Sequence, residues 1–129
     1  MKLTEIITDD TETFKRLFQV FINSRQRNQW LETDTIKIYI RKGTHMIDGN
    51  LAKTLDIANI NIDETERGQG VGTMLIDWLH QQNPFPVTHV ENIQNPRLYT
   101  HLKRLGWLDV AGTEPPSVYK LKYIHRLTV

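Results

Sequence analysis

The sequence contains no cysteine. That excludes disulfides, a thiolate nucleophile and any cysteine-ligated metal. Neither sign of charge dominates: sixteen Lys and Arg face fifteen Asp and Glu, a net of +1. There is no global pull toward anionic polymers or surfaces, so nucleic acid is an unlikely partner. No stretch approaches a membrane span, and MKLTEIITDD lacks an apolar signal core, so no membrane is expected and a cytoplasmic protein is the default. The histidines at 45, 80, 89, 101 and 125 form no i, i+4 pair, and no metal site is expected. At 129 residues the chain reads as one domain, 1–129, with enough length for a core.

Residues 55–82 organise what is present. A strand leads into Arg67-Gly68-Gln69-Gly70-Val71-Gly72, and an amphipathic helix follows, with Val71, Met74, Leu75, Trp78 and Leu79 on one face until Asn83-Pro84 stops it. Bare backbone at a helix start leaves N–H groups free to close on a phosphate. In the strand, Leu55 and Ile57 are odd while Ile60 and Ile62 are even. A period of two cannot put all four on one face, and a β-bulge near Ala58-Asn59 restores the register. Neither the P-loop pattern nor G-x-G-x-x-G is present.

In chain order, LTEII (3–7) reads as a first strand. Thr8 or Asp9 then caps a helix whose stripe is Phe14, Leu17, Phe18, Phe21 and Ile22 and which runs to about Arg27. Its tail to Trp30 is either a polar cleft wall or a solvated end with the indole tucked in. TIKIYIR (35–41) alternates as a half-buried strand, with Lys37, Tyr39 and Arg41 opposite its isoleucines. Lys42-Gly43 reads as a break or bend, THMI as a further strand, and Asp48-Gly49-Asn50 as a turn. PVTHVENI is a strand. Asn95 caps a last helix with Pro96 at its first position, Leu98, Leu102 and Leu105 as its stripe, and Gly106 at its end. Segments 107–110 and 118–123 form a closing hairpin, and its exposed edges allow a homodimer.

The hexapeptide Arg67–Gly72 after a bulged strand resembles the acyl-CoA-binding motif of the GNAT N-acyltransferase superfamily, R/Q-x-x-G-x-G/A, and ENIQNPRLYTHLKRLGW resembles its last helix. The resemblance covers about residues 1–123. It implies an α/β fold with a mixed, mostly antiparallel central sheet, a splayed parallel strand pair and flanking helices. It further implies an N-acetyltransferase that uses acetyl-CoA as donor, without a metal, and acts on an amine of a small molecule or protein. The alternative is a catalytically inactive GNAT-fold binding or structural protein working through a protein partner.

The implied donor site uses backbone from Gln69 to Thr73, including Gly70, Val71 and Gly72, for the pyrophosphate. Gly68 belongs to the same turn, and Arg67 is either a phosphate contact or a surface arginine. Ile60, Asn61 and Ile62 pair with the pantetheine, and a backbone N–H near Ile60 polarises the thioester carbonyl. Asn95 bonds the pantetheine, caps its helix, or does both. The superfamily tyrosine four residues before the terminal glycine is Leu102 here. Tyr99 is the candidate acid in its place, or a packing residue. Candidate bases are Glu91, His89 and Asp56, with Glu91 nearest the splay.

Overall fold

The computed structural model describes residues 3–62 and 70–122. Its first element corrects the sequence reading. There is no strand at 3–7, and a single helix α1 runs from Leu3 to Ile22. Positions 3, 6, 7, 10, 14, 17, 18 and 21 follow one 3.6-residue face, so LTEII continues the stripe that the phenylalanines complete. Phe14, Phe18 and Phe21 are fully buried. The helix stops at Ile22 rather than Arg27. The segment read as its tail supplies an edge strand instead, β1 (Asn28–Glu32), in which Trp30 is 43% exposed. The indole lies against Tyr39 at 5.1 Å, with the Lys37 ammonium 4.8 Å from its centroid.

Two long strands follow, β2 (Ile36–Ile47) and β3 (Asn50–Ile62). Lys42-Gly43 does not break β2; THMI is its continuation. Asp48 and Gly49 both have positive φ, 50° and 81°, and they join Ile47 to Asn50 as a two-residue hairpin of the type that matches strand twist. The expected bulge is present. Tyr39 pairs with Asn59 and Ile40 with Ile57, leaving Ala58 as the extra residue.

Helix α2 (Val71–Gln82) crosses to β4 (Val87–Val90), which runs parallel to β3. Its buried face is Val71, Leu75, Ile76 and Leu79, rotated from the expected stripe so that Met74 is exposed. Trp78 meets Phe14 and Phe18 edge-on, at 6.5 and 5.4 Å, and ties α2 to α1. Helix α3 (Pro96–Arg104) ends as the terminal glycine demands. Gly106, at φ 92°, donates to Lys103 O, and Trp107 donates to Leu102 O. That turn sends Trp107 rather than Leu105 into the core. The short strands β5 (Leu108–Asp109) and β6 (Val118–Leu121) are the last described elements.

The sheet order is β1-β2-β3-β4-β6-β5, antiparallel throughout except for β3–β4. The three described helices pack on one face, over Ile36, Ile38, Ile40, Leu55 and Ile57. On the opposite face Ile47, Val87 and Tyr119 form a smaller cluster to which no described helix contributes. Among the described residues no helix is long and apolar enough to cross a membrane.

Under α2 a polar triad makes stability pH-dependent. The buried Thr88 hydroxyl accepts from Asn83 Nδ2 at 2.9 Å and shares a second hydrogen bond with His80 Nδ1 at 2.7 Å. Burial, reinforced by Lys120 and Lys122 and opposed by Asp77, lowers the His80 pKa from 6.5 to about 4. The unfolded chain therefore binds the extra proton between those values. The contribution is full above pH 6.5 and is lost as pH falls toward 4. Allowing for partial exposure, it amounts to about 1–2 kcal/mol. Urea midpoints at pH 7 and 4.5 should differ less in His80→Gln than in the wild type. Equal differences would remove His80 from the account.

Candidate active site

Beyond Ile57 and Val90 the parallel pair ends. The last bond across it is Glu91 N–H to Ile57 O at 3.0 Å, after which β3 runs on through its bulge while Asn92, at φ 51°, turns the other chain away. The divergence opens a cleft of about 1000 Å³. One wall is β3 from Ile57 to Ile62, another the start of α2 from Gly70 to Thr73, and the third residues 90–95 with the beginning of α3.

The α2 end is built to receive an anion. Gly70 is its N-cap at φ 75°, ψ 13°; among the described residues no side chain caps the helix, and no acidic residue stands in its first turn. The positive end of the dipole and the first N–H groups thus border the cleft. A Cβ on Gly70 would meet nothing within 4 Å. Gly72 serves packing instead: its Cβ would lie 3.2 Å from Ile62 Cδ1, so the missing side chain seats α2 on the bulged strand.

Of the sequence-predicted residues, Ile60, Asn61, Ile62, Gly70, Val71, Gly72, Thr73, Glu91 and Asn95 all line this one cleft. Arg67, Gly68 and Gln69 lie outside the described residues. Asn95 Oδ1 accepts from Arg97 N–H at 3.0 Å, so it caps α3 while facing the cleft. Tyr99 is not brought there. Its hydroxyl donates to Asp109 Oδ1 at 2.7 Å, and Lys103 holds the other Asp109 oxygen at 3.0 Å. The hydrogen bond to Asp109 raises the Tyr99 pKa. With its proton committed to β5, the role of acid in the cleft does not follow for Tyr99 from this geometry. Leu102, at the superfamily's tyrosine position, is buried.

The three base candidates do come together, with three partners that the sequence reading missed, Arg41, His45 and Thr54. One row crosses the sheet on its helix-free face: Arg41, Asp56, His89 and Tyr119 in register. Arg41 Nε donates to Asp56 Oδ2 at 3.0 Å, and its terminal nitrogen pairs with Glu91 Oε1. His45 Nε2 is 3.0 Å from Asp56 Oδ2, and Thr54 Oγ1 donates to Asp56 Oδ1 at 2.7 Å. Gly43 makes this possible, because a Cβ there would sit 2.2 Å from Asp56 Oδ2. Burial alone would raise the Asp56 pKa, but His89, Thr54 and His45 outweigh it and hold the carboxyl well below the usual range. Asp56 is therefore a fixed anion rather than a base. Glu91, 18% exposed and lining the cleft, is the carboxylate placed to meet a substrate.

No protein-family model matches this sequence, and no curated protein matches it. Solved structures match at the level of fold. The chain is similar to a mutant AtaT toxin bound to the C-terminus of the antitoxin AtaR and acetyl-CoA, with TM-score 0.54 and 16% identity, over 73% of this chain and 62% of that one. It thus spans less than two thirds of that toxin. It is also similar to the KacTA–DNA complex (TM-score 0.58, 17% identity, 93% of this chain and 84% of that one) and to AtaT complexed with acetyl-methionyl-tRNAfMet (0.53, 15%, 74% and 67%). These likenesses show the fold, that of the GNAT N-acyltransferases, as the sequence motif implied. They do not bear out the expectation against nucleic acid, since two of these neighbours are nucleic-acid complexes.

Proposed function

We propose that the chain is an acetyl-CoA-dependent N-acetyltransferase, acting as a single domain on an amine of a small molecule or macromolecule. The observation that carries this reading is one cleft joining a glycine-capped helix N-terminus, the side of the bulged strand from which β4 has diverged, and a carboxylate. The pyrophosphate docks on backbone N–H groups from Gln69 to Thr73, with Arg67 beside it. The pantetheine amides add to β3 along Asn59 to Ile62 as a neighbouring strand would, and Asn95 bonds them from the far wall. A backbone N–H near Ile60 polarises the thioester carbonyl. Glu91 takes the amine's proton, which is needed because a lysine-like amine has a pKa near 10.4 and is mostly protonated at neutral pH. A thiol's pKa of about 8.5 lets the thiolate depart into the open cleft without a dedicated acid.

A second reading, a binding protein on this fold that has lost its chemistry, is favoured by the buried Leu102 at the tyrosine position. Calorimetric titration with acetyl-CoA and free CoA, followed by a screen of amines, proteins and tRNA for acetylation, tests both. Saturable micromolar binding with transfer is the expected result. Binding without transfer to any acceptor supports the second reading, and no binding by the folded protein overturns both.

A further inference from the structure

Four side chains of metal-ligating type converge on the helix-free face: His45 of β2, Asp56 of β3, and His89 and Glu91 of and just after β4. One donor atom from each lies within 4.8 Å of the other three. His45 Nε2 is 3.0 Å from an Asp56 oxygen and 3.9 Å from Glu91 Oε1; His89 Nδ1 is 3.5 Å from Asp56 Oδ1 and 3.6 Å from Glu91 Oε1. Zinc bonds to nitrogen and oxygen of about 2.0–2.2 Å separate tetrahedral ligands by about 3.3–3.6 Å. The two separations from His89, 3.5 and 3.6 Å, stand at that spacing, and the set as a whole would draw in from within 4.8 Å to close on an ion.

A second observation points to a ligand among them. His89 is 5% exposed, and its Nδ1 is fully buried with no hydrogen-bond partner. Its two oxygen neighbours, at 3.5 and 3.6 Å, are near enough to act on it through charge, as Asp56 does, but too distant for good bonds. Buried polar atoms are rarely left this way, and a metal ion at the centre would satisfy this one. Arg41 holds Asp56 Oδ2 and Glu91 Oε1 from β2, so an ion would share that Glu91 oxygen with the guanidinium, while Asp56 Oδ1 is turned toward His89 and Thr54. Ligating carboxylates are ordinarily held by such outer partners. The two carboxylates and Arg41 sum to one net negative charge, which attracts a dication.

We propose that His45, Asp56, His89 and Glu91 form a binding site for one divalent transition-metal ion of the zinc class. Two imidazoles select such an ion over magnesium. The expectation against a metal rested on helical spacing, whereas sheet register brings these residues together. Binding itself is independent of the proposed reaction. Only its consequence rests on that reading: with Glu91 engaged as fourth ligand, zinc suppresses transfer.

The test is calorimetric titration of the chelator-stripped full chain with zinc chloride, with magnesium chloride as comparison. One saturable zinc site and no magnesium site are expected. His45→Ala, at a side chain 31% exposed, should weaken zinc by at least about 10-fold. His89→Gln should do the same, and His80→Gln on the other face should not. Cobalt(II) should give four-coordinate visible absorption that both cluster variants lose, with circular dichroism confirming their fold. No saturable zinc binding, or binding unchanged in folded His45→Ala, overturns the site. Acetyl-CoA titrated into the same preparations separates the two readings: donor binding without zinc binding sinks the metal site alone, and the reverse sinks the donor cleft alone.

Discussion

Gly70→Glu should abolish acetyl-CoA binding. Three effects act in the same direction. At φ 75° an L-residue is strained in the left-handed region, by about 1–2 kcal/mol. The new side chain finds open space at its Cβ rather than a wall, so the carboxylate is free to fold over the first turn of α2 and satisfy the N–H groups itself. It then faces the pyrophosphate as a like charge, where each unit pair at about 4 Å costs several kcal/mol at a near-surface dielectric. Together these exceed the roughly 2.7 kcal/mol that corresponds to a 100-fold loss. Gly70→Ala carries the strain without the charge and should lose no more than about 10-fold. Calorimetry on both variants checks this. Unchanged affinity in folded Gly70→Glu would place the pyrophosphate elsewhere.

Glu91→Gln should lower turnover by about 100- to 10,000-fold, the range of a general base, while donor affinity stays within about 2-fold. The substitution keeps shape and a hydrogen-bond acceptor for Arg41, and Asp56 still neutralises that guanidinium. What disappears is the group that takes the proton. The residual rate should climb with pH as more free amine becomes available. Release of CoA, followed with an acceptor that the wild type uses, reads both quantities. A full rate in Glu91→Gln would move the base to His89 or to water.

The donor cleft was largely legible because it is built from local patterns. The parity switch between Ile57 and Ile60 located the bulge, the glycine run located the start of α2, and Asn95 with Pro96 located the start of α3. The cluster behind it was only half legible. Reading Lys42-Gly43 as a break cut β2 in two, so the alternation that places Arg41, Gly43 and His45 on one face was not followed past Arg41. Gly43 is in fact a notch for the Asp56 carboxylate, a reason for glycine that no local rule displays. Tyr99 was named because it lies one turn from the expected position. Its tie to Asp109, ten residues on, depends on how β5 returns beside α3. At the N-terminus, Leu3, Ile6 and Ile7 fit a strand or a helix equally well. Continuity with the phenylalanine stripe decides for the helix.

The parallel seam between β3 and β4 is four residue pairs long, Thr54–Ile57 against Val87–Val90. It joins the long ribbon β1–β2–β3, whose β2–β3 pairing runs the length of both strands, to the short ribbon β4–β6–β5, whose own pairings are four and two residues long. The short ribbon therefore hangs on the long one by those four residue pairs, and torsional load concentrates on that side of the sheet. A molecule whose own amides bridge both lips beyond the joint lengthens it and stiffens the whole sheet.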